Sequence, residues 1–303
     1  LSIAGFPSNF TPVPYRNARH YGERKTVMPV ELFRQGSHRC VMFQDLVEDD
    51  IGGVQSNQFL IADNDQVAAI DPGGIITYNA IFLQRMRHFP QSKVEYIIAS
   101  HADPDVVASL NRWLVQTECK LVIPSLWSRF VPHFCTQTQN LPGRLVTVPD
   151  RGGILPLGDS HIVVLPAHFL HSEGNFHFYD PVSKILFSGD LGASLVSNAK
   201  AGRPVQDFDA HIPRMRGFHR RYMSSRQVVQ YWAHMVRGLD IEMIVPQHGA
   251  FFVGKAMVQR FIDWVESEAC GLDLLSQANY RLPVNRLAAP DVPPEAHPDA
   301  PPG

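Results

Sequence analysis

Val94-Glu95-Tyr96-Ile97-Ile98-Ala99-Ser100-His101-Ala102-Asp103-Pro104-Asp105 is the stretch whose reading decides the fold. Val94–Ala99 is apolar and reads as a buried strand. It runs out into His101, Asp103 and Asp105, three ligand-type side chains spaced two apart. Pro104 then fits the first turn of a helix, where its missing N–H costs nothing. Val106, Val107, Leu110, Trp113 and Leu114 follow with helical spacing, so the sequence predicts one helix over Asp105–Gln116.

The same strand-then-ligand pattern recurs downstream. His171 lies in Phe169-Leu170-His171-Ser172, Asp190 closes Ile185-Leu186-Phe187-Ser188-Gly189-Asp190, and His248 closes Ile244-Val245-Pro246-Gln247-His248-Gly249. Three imidazoles and three carboxylates at strand ends are the donors that a two-metal centre uses. Charge favours two ions. Three ionised aspartates would leave one divalent cation in an anionic pocket, whereas two cations bring it near neutrality. One carboxylate shared between both ions would hold them roughly 3.5–4 Å apart.

Order and spacing resemble the metallo-β-lactamase fold, and within it the diiron domain of flavodiiron proteins and related oxygen-binding diiron proteins. That family reads H-x-E-x-D-H, then a distant His, a distant Asp and a last His. This chain has His101-x-Asp103-x-Asp105-Val106, then His171, Asp190 and His248, and the resemblance spans about residues 35–270. It implies an α/β (α+β) fold, an αββα sandwich with all six ligands at one edge. It also implies His101, Asp103 and His171 on one metal, Asp105 and His248 on the other, and Asp190 between them.

Two departures stand out. The family's Glu is the shorter Asp103, and its final His is Val106, which cannot ligate, so the second ion keeps fewer protein ligands. Asp71, after an apolar strand, is a candidate to hydrogen-bond a ligand His, or else a turn-capping residue. His168 is a further candidate close to the metals. Tyr222, read as lying in a loop, could donate a hydrogen bond to a bound oxygen species, although packing is the commoner role of a Tyr. His177 alternates with apolar residues and reads as structural. His38 and the remaining histidines carry no assignable signal.

Mixed imidazole and carboxylate donors with an open position suit non-haem iron, while zinc favours more imidazole. The expected cofactor is therefore two iron ions with an oxo or hydroxo bridge, with zinc as the alternative. O2, or else NO, is the implied ligand, sensed or slowly reduced. An enzyme of this kind would be an O2 or NO reductase with an external electron donor. The alternative is a dinuclear zinc hydrolase of an ester or thioester. Residues after 270 are Pro-rich and show no Gly-rich phosphate loop, so no flavin is expected in this chain.

The chain has 303 residues, 45% hydrophobic, which suits one large domain. A net charge of −2 makes no electrostatic case for nucleic acid or anionic membrane. No stretch has the length of a spanning helix, and Leu1-Ser2-Ile3-Ala4-Gly5-Phe6-Pro7 lacks a signal-peptide pattern. Four scattered cysteines, Cys40, Cys119, Cys135 and Cys270, fit reduced thiols in the cytoplasm. The expected organisation is an N-terminal arm over 1–35, the metal-binding domain over 36–285, and a disordered Pro/Ala-rich tail over 286–303. A signalling partner and a homodimer are both compatible with this reading.

Overall fold

The computed structural model describes residues 29–44, 46–47, 53–136, 141, 143–196 and 202–283. Strands β1 (Val30–Gln35), β2 (His38–Phe43), β3 (Gln58–Asp63), β4 (Gln66–Ile70), β5 (Lys93–Ile98), β6 (Lys120–Pro124) and β7 (Leu145–Val148) form one sheet in sequential order. Its first four strands pair antiparallel and β4 to β7 pair parallel. β8 (Gly153–Leu157), β9 (Ser160–Pro166), β10 (Phe176–Asp180), β11 (Ile185–Phe187), β12 (Met243–Val245) and β13 (Phe252–Val253) form the second sheet.

Burial on both faces explains why these strands read as near-continuous apolar runs. In β3, Phe59 and Ile61 enter the apolar layer between the sheets, where Phe176, Phe178 and Phe187 meet them. Leu60 and Ala62 point the other way, into the layer beneath α1 (Tyr78–His88), α2 (Pro104–Val107) and α3 (Leu110–Gln116). The outer face of the second sheet is covered by α5 (Phe208–Tyr222), α6 (Arg226–Val236) and α7 (Lys255–Ser267). The architecture is the expected αββα sandwich. A short helix α4 (Val131–Phe134) follows a 3-10 turn at Ser125–Phe130. No helix among the described residues is long and apolar enough to cross a membrane. All four cysteines are buried and unpaired.

Three local expectations need correction. The single helix over Asp105–Gln116 is broken into α2 and α3 around Ala108 and Ser109. The Ser109 hydroxyl donates to the Gly73 carbonyl at 2.5 Å. Gly74 packs so closely that a Cβ there would lie 3.2 Å from the Pro104 carbonyl. Docking of the Asp71–Gly74 turn thus competes with helix continuity. Tyr222 is the last residue of helix α5, not part of a loop. Pro213 and Gly217 hid that helix, yet Phe208, His211, Met215 and His219 form its buried stripe and Asp207 caps it. Val30–Gln35, placed in the N-terminal arm, forms strand β1 on β2. The segments 1–28 and 284–303, and so nearly all of the arm and the whole proposed tail, lie outside the described residues.

A buried polar cluster ties the sheets at one end. His38 of β2 has Nδ1 3.0 Å from Asp63 Oδ1 and Nε2 2.8 Å from Asp180 Oδ2. Cys40 Sγ donates to the same Asp180 oxygen at 3.2 Å, and the Ser183 hydroxyl also donates to it. Asp159 N donates to Asp63 Oδ2 at 2.7 Å.

Candidate metal centre

The other end of the sandwich carries the six ligand-type residues. β4 and β5 run parallel and stop at the same edge, delivering Asp71 and Ser100-His101 side by side, with Asp71 N donating to Ile98 O at 2.9 Å. β11 and β12 are also parallel and deliver Asp190 and His248, with Gln247 N donating to Gly189 O at 2.7 Å. His171 comes from the β9–β10 connection. The sheets meet here through Phe176 N to Ser100 O at 3.0 Å and Asn57 N to Gln247 O at 2.5 Å.

The side chains fall into two halves around Asp190. In the first, His171 Nε2 lies 2.9 Å from Asp103 Oδ2 and 3.6 Å from Asp190 Oδ2, and His101 Nε2 lies 3.7 Å from Asp103 Oδ2. Ligand atoms of His101, Asp103, His171 and Asp190 all lie within 4.8 Å of one another. In the second, His248 Nε2 lies 3.3 Å from Asp105 Oδ2 and 3.5 Å from Asp190 Oδ1. Asp190, 4% exposed, presents one oxygen to each half. Val106 is fully buried in the apolar layer with Leu110 and Trp113, so packing occupies the side chain that stands where the family pattern has an imidazole.

Supporting contacts orient the imidazoles. His248 Nδ1 lies 2.8 Å from the Gln55 carbonyl, which needs a proton on Nδ1 and leaves Nε2 for the carboxylates. Asp71 accepts from Ser100 N at 2.8 Å and from the Ser100 hydroxyl at 2.9 Å, and that hydroxyl lies 2.8 Å from His101 Nδ1. Asp71 therefore acts on His101 through Ser100. Gln247 donates to Asp105 Oδ2 at 3.2 Å. Tyr222, 44% exposed, sits edge-on to the His171 ring at 5.3 Å and stacks on Phe218. His168 is not brought into the cluster. Its Nε2 meets the Asp150 carbonyl at 2.7 Å and its ring packs against Phe176. His177 is fully buried, accepts from the Trp232 indole at 2.9 Å and is pushed down to about 3 by burial.

Ser100, Gln247 and Gln55 were missed in the sequence. Ser100 and Gln247 each precede a ligand-type His, a signal that adjacency could have supplied. The Gln55 contribution is a backbone carbonyl, which no sequence marks. Asp71, Phe169 and His171 have φ of 48°, 64° and 87°, a region unfavourable to side-chain-bearing residues. Such strain concentrates where a surrounding scaffold must fix a functional side chain.

The electrostatics call for cations. Burial pulls the His101 imidazole down, but Asp103, Asp190 and Asp71 outweigh it and raise it to about 9. His248 is likewise raised to about 9, against its burial, by Asp190 and Asp105. His101 and His171 hold Asp103 well below the usual carboxylate range. Burial drives Asp71 up to about 6. His101 Nε2 and Asp190 Oδ1 are buried without a hydrogen-bond partner. Buried polar atoms rarely stay unpaired, and an absent ion is one explanation for such exceptions. The His38–Cys40–Asp180 cluster could also offer ligand atoms within 4.8 Å of one another. There the donors and acceptors are spent on each other, as the contacts above show, so it reads as a structural tie. The residues at the first site fit a pair of metal ions.

Comparison with known proteins places this geometry. The family described as ODP family beta lactamase matches residues 54–249. The chain belongs to that family. Among solved structures, a chemotaxis sensor ODP described as a peroxy diiron species is 36% identical, with a TM-score of 0.70 over 81% of this chain and 97% of that one. The apo state of the chemotaxis sensor ODP from T. denticola is 35% identical, with a TM-score of 0.70 over 82% of this chain and 97% of that one. Rubredoxin oxygen:oxidoreductase from Desulfovibrio gigas is 16% identical, with a TM-score of 0.66 over 79% of this chain and 61% of that one, and shares the fold. An uncharacterized protein of Methanocaldococcus jannaschii is 22% identical over 223 residues, 70% of this chain. The chain spans about half, 53%, of the length of that curated relative.

Asp71→Asn tests the support of His101. An amide can still accept from Ser100 N, but its NH2 group cannot accept from the Ser100 hydroxyl. Metal affinity is expected to fall about 10–100-fold, the usual effect of losing such a supporting contact, with the fold intact. Competition against a chelator of known affinity measures it, and unchanged affinity would remove Asp71 from the site.

Proposed function

We propose that this member of the ODP family is a cytoplasmic non-haem diiron protein that binds O2, or else NO, as a sensor or as a slow reductase served by an external donor. His101, Asp103 and His171 hold one iron, Asp105 and His248 the other, and Asp190 is shared. The observation that carries the reading is the position of Asp190, with one oxygen toward each imidazole-bearing half. The likeness to a chemotaxis sensor solved as a diiron species supports iron and a sensing role.

Bound iron would supply a redox-active centre able to take up a diatomic ligand and pass electrons to it. The chain does the rest. Gln55 and Ser100 fix the two imidazoles that hold the ends of the cluster, and Gln247 orients Asp105. Fully buried Val106 adds no ligand, so Asp105, His248 and the shared Asp190 are the side chains that would hold the second ion. The edge-on contact of the Tyr222 ring with His171 supports a role for Tyr222 in offering a hydrogen bond to the bound diatomic.

Anaerobic metal analysis followed by a visible spectrum on admission of air tests this reading. The expected result is close to two irons per chain and an absorption band that forms with O2 and persists without added reductant. Two zinc ions, cleavage of ester or thioester substrates, and no colour after loading with iron would replace it with the hydrolase.

A further inference from the structure

A small cavity lies against the inner side of the site. Ala99, Ala102, Val107, Ile123, Trp127 and Phe134 line it together with the His101 ring, and its volume is about 20 Å3. That exceeds the ~10–15 Å3 needed to admit one water-sized molecule and leaves no room for many. Water would be a poor occupant, because an ordered buried water needs two to four polar partners. The lining is almost wholly hydrocarbon. His101 Nδ1 is engaged with Ser100, and its Nε2, 3.7 Å from Asp103 Oδ2 and without a hydrogen-bond partner, is turned toward the ligand cluster. The Trp127 indole nitrogen is buried without a hydrogen-bond partner and packs against Gly174, where a Cβ would come within 2.6 Å of it, so it is the one further polar atom a guest could meet. The lining residues run from His101, 1% exposed, to Phe130 of the 3-10 turn, 39% exposed. The cavity is thus bounded at one side by a buried ligand-type imidazole and at another by a side chain that meets solvent.

We propose that this cavity is a docking site for a single uncharged diatomic, O2 or NO, on its way to the metal centre. The proposal rests on the functional reading above. Apolar cavities of this kind stay dry and take up apolar guests, xenon among them. The outer wall is made by Ser125–Phe130 and α4, and Val107 of α2 forms part of the inner wall. Val107 is only partly buried and is not one of the six ligand-type residues, so its size can be changed without touching a donor.

The test uses the full chain in two forms. Xenon titration of the metal-free protein, read by NMR shifts of methyl groups lining the cavity, reports the cavity alone. Stopped-flow mixing of the iron-loaded protein with O2 reports entry. Native protein should bind xenon at Ala99, Ala102 and Val107. Val107→Phe should abolish that binding and slow O2 association about tenfold, equivalent to one modest added barrier, with iron content and final spectrum unchanged. Phe134→Trp, which fills the cavity from the other wall, should likewise lose xenon and slow O2 association with iron content unchanged; it covers the case in which Val107→Phe fails to fold, and a native O2 rate in it would overturn the docking site. No xenon in the native cavity, with O2 reacting normally, would overturn the docking site and leave the functional reading standing. The same holds if Val107→Phe loses xenon but keeps the native O2 rate. Xenon binding by a protein whose iron form ignores O2 would overturn both.

Discussion

Asp190→Ala is expected to take the metal content from two ions per chain toward one or none. Asp190 Oδ2 lies 3.6 Å from His171 and Oδ1 lies 3.5 Å from His248, so a single side chain serves both halves. Two ions held about 3.5–4 Å apart need a shared anionic ligand of this kind. His171→Ala should cost mainly the ion held with Asp103, and His248→Ala mainly the ion held with Asp105. Asp190→Asn separates charge from shape, because the amide keeps the volume but not the second anionic oxygen. Elemental analysis beside a thermal melt reads the series. An Asp190→Ala protein that keeps two ions would show that another group does the sharing.

The second large effect lies at the far end of the sandwich. His38→Ala should destabilise the fold by about 3–5 kcal/mol, the usual cost of removing one partner from a buried ion pair. Asp63 and Asp180, both buried, would lose their common cation. Burial works against the charged imidazole, but Asp180 and Asp63 outweigh it and raise the His38 pKa. A raised folded pKa means a contribution fully present below the unfolded value and lost as pH rises through the folded one. Burial also works against the Asp180 carboxylate, and His38 and Ser183 outweigh it, so its folded pKa is lowered. That contribution is present above the unfolded value and lost as pH falls through the folded one. The gap between wild type and His38→Ala should therefore be widest between about pH 4 and pH 6.5, the unfolded values of the two groups, and should narrow in alkali. Urea midpoints across that range measure it, and a gap that does not change with pH would mean that His38 is held neutral.

Much of the centre was legible because His101, Asp190 and His248 follow apolar strands that stop at a common edge, while Asp103 and Asp105 at the start of α2 and His171 in the β9–β10 connection were read from the family resemblance. His101, Asp103, His171 and Asp190 come together on that logic, as do Asp105 and His248 beside the same Asp190. What escaped was tertiary in origin. The break at Ser109 depends on the Gly73 turn docking against it, and α5 hides behind Pro213 and Gly217. His38 looked featureless because both of its partners are remote in sequence, one of them 142 residues away. His168 sits three residues before His171, yet the positive φ of Phe169 turns the chain between them, and the two rings part company.

The polar tie at His38 and the metal centre lie at opposite ends of β10, whose four residue steps from Phe176 to Asp180 span roughly 13 Å. Holding the sheets together and binding ions are therefore separate tasks given to separate residues. A fold closed by charges at one end can tolerate unpaired donors at the other, because its stability does not hang on their satisfaction. Asp103, part-exposed at the rim, can be changed without entering either apolar layer, whereas Val106, fully buried with Leu110 and Trp113, ties any change of ligand at its position to the packing of the chain.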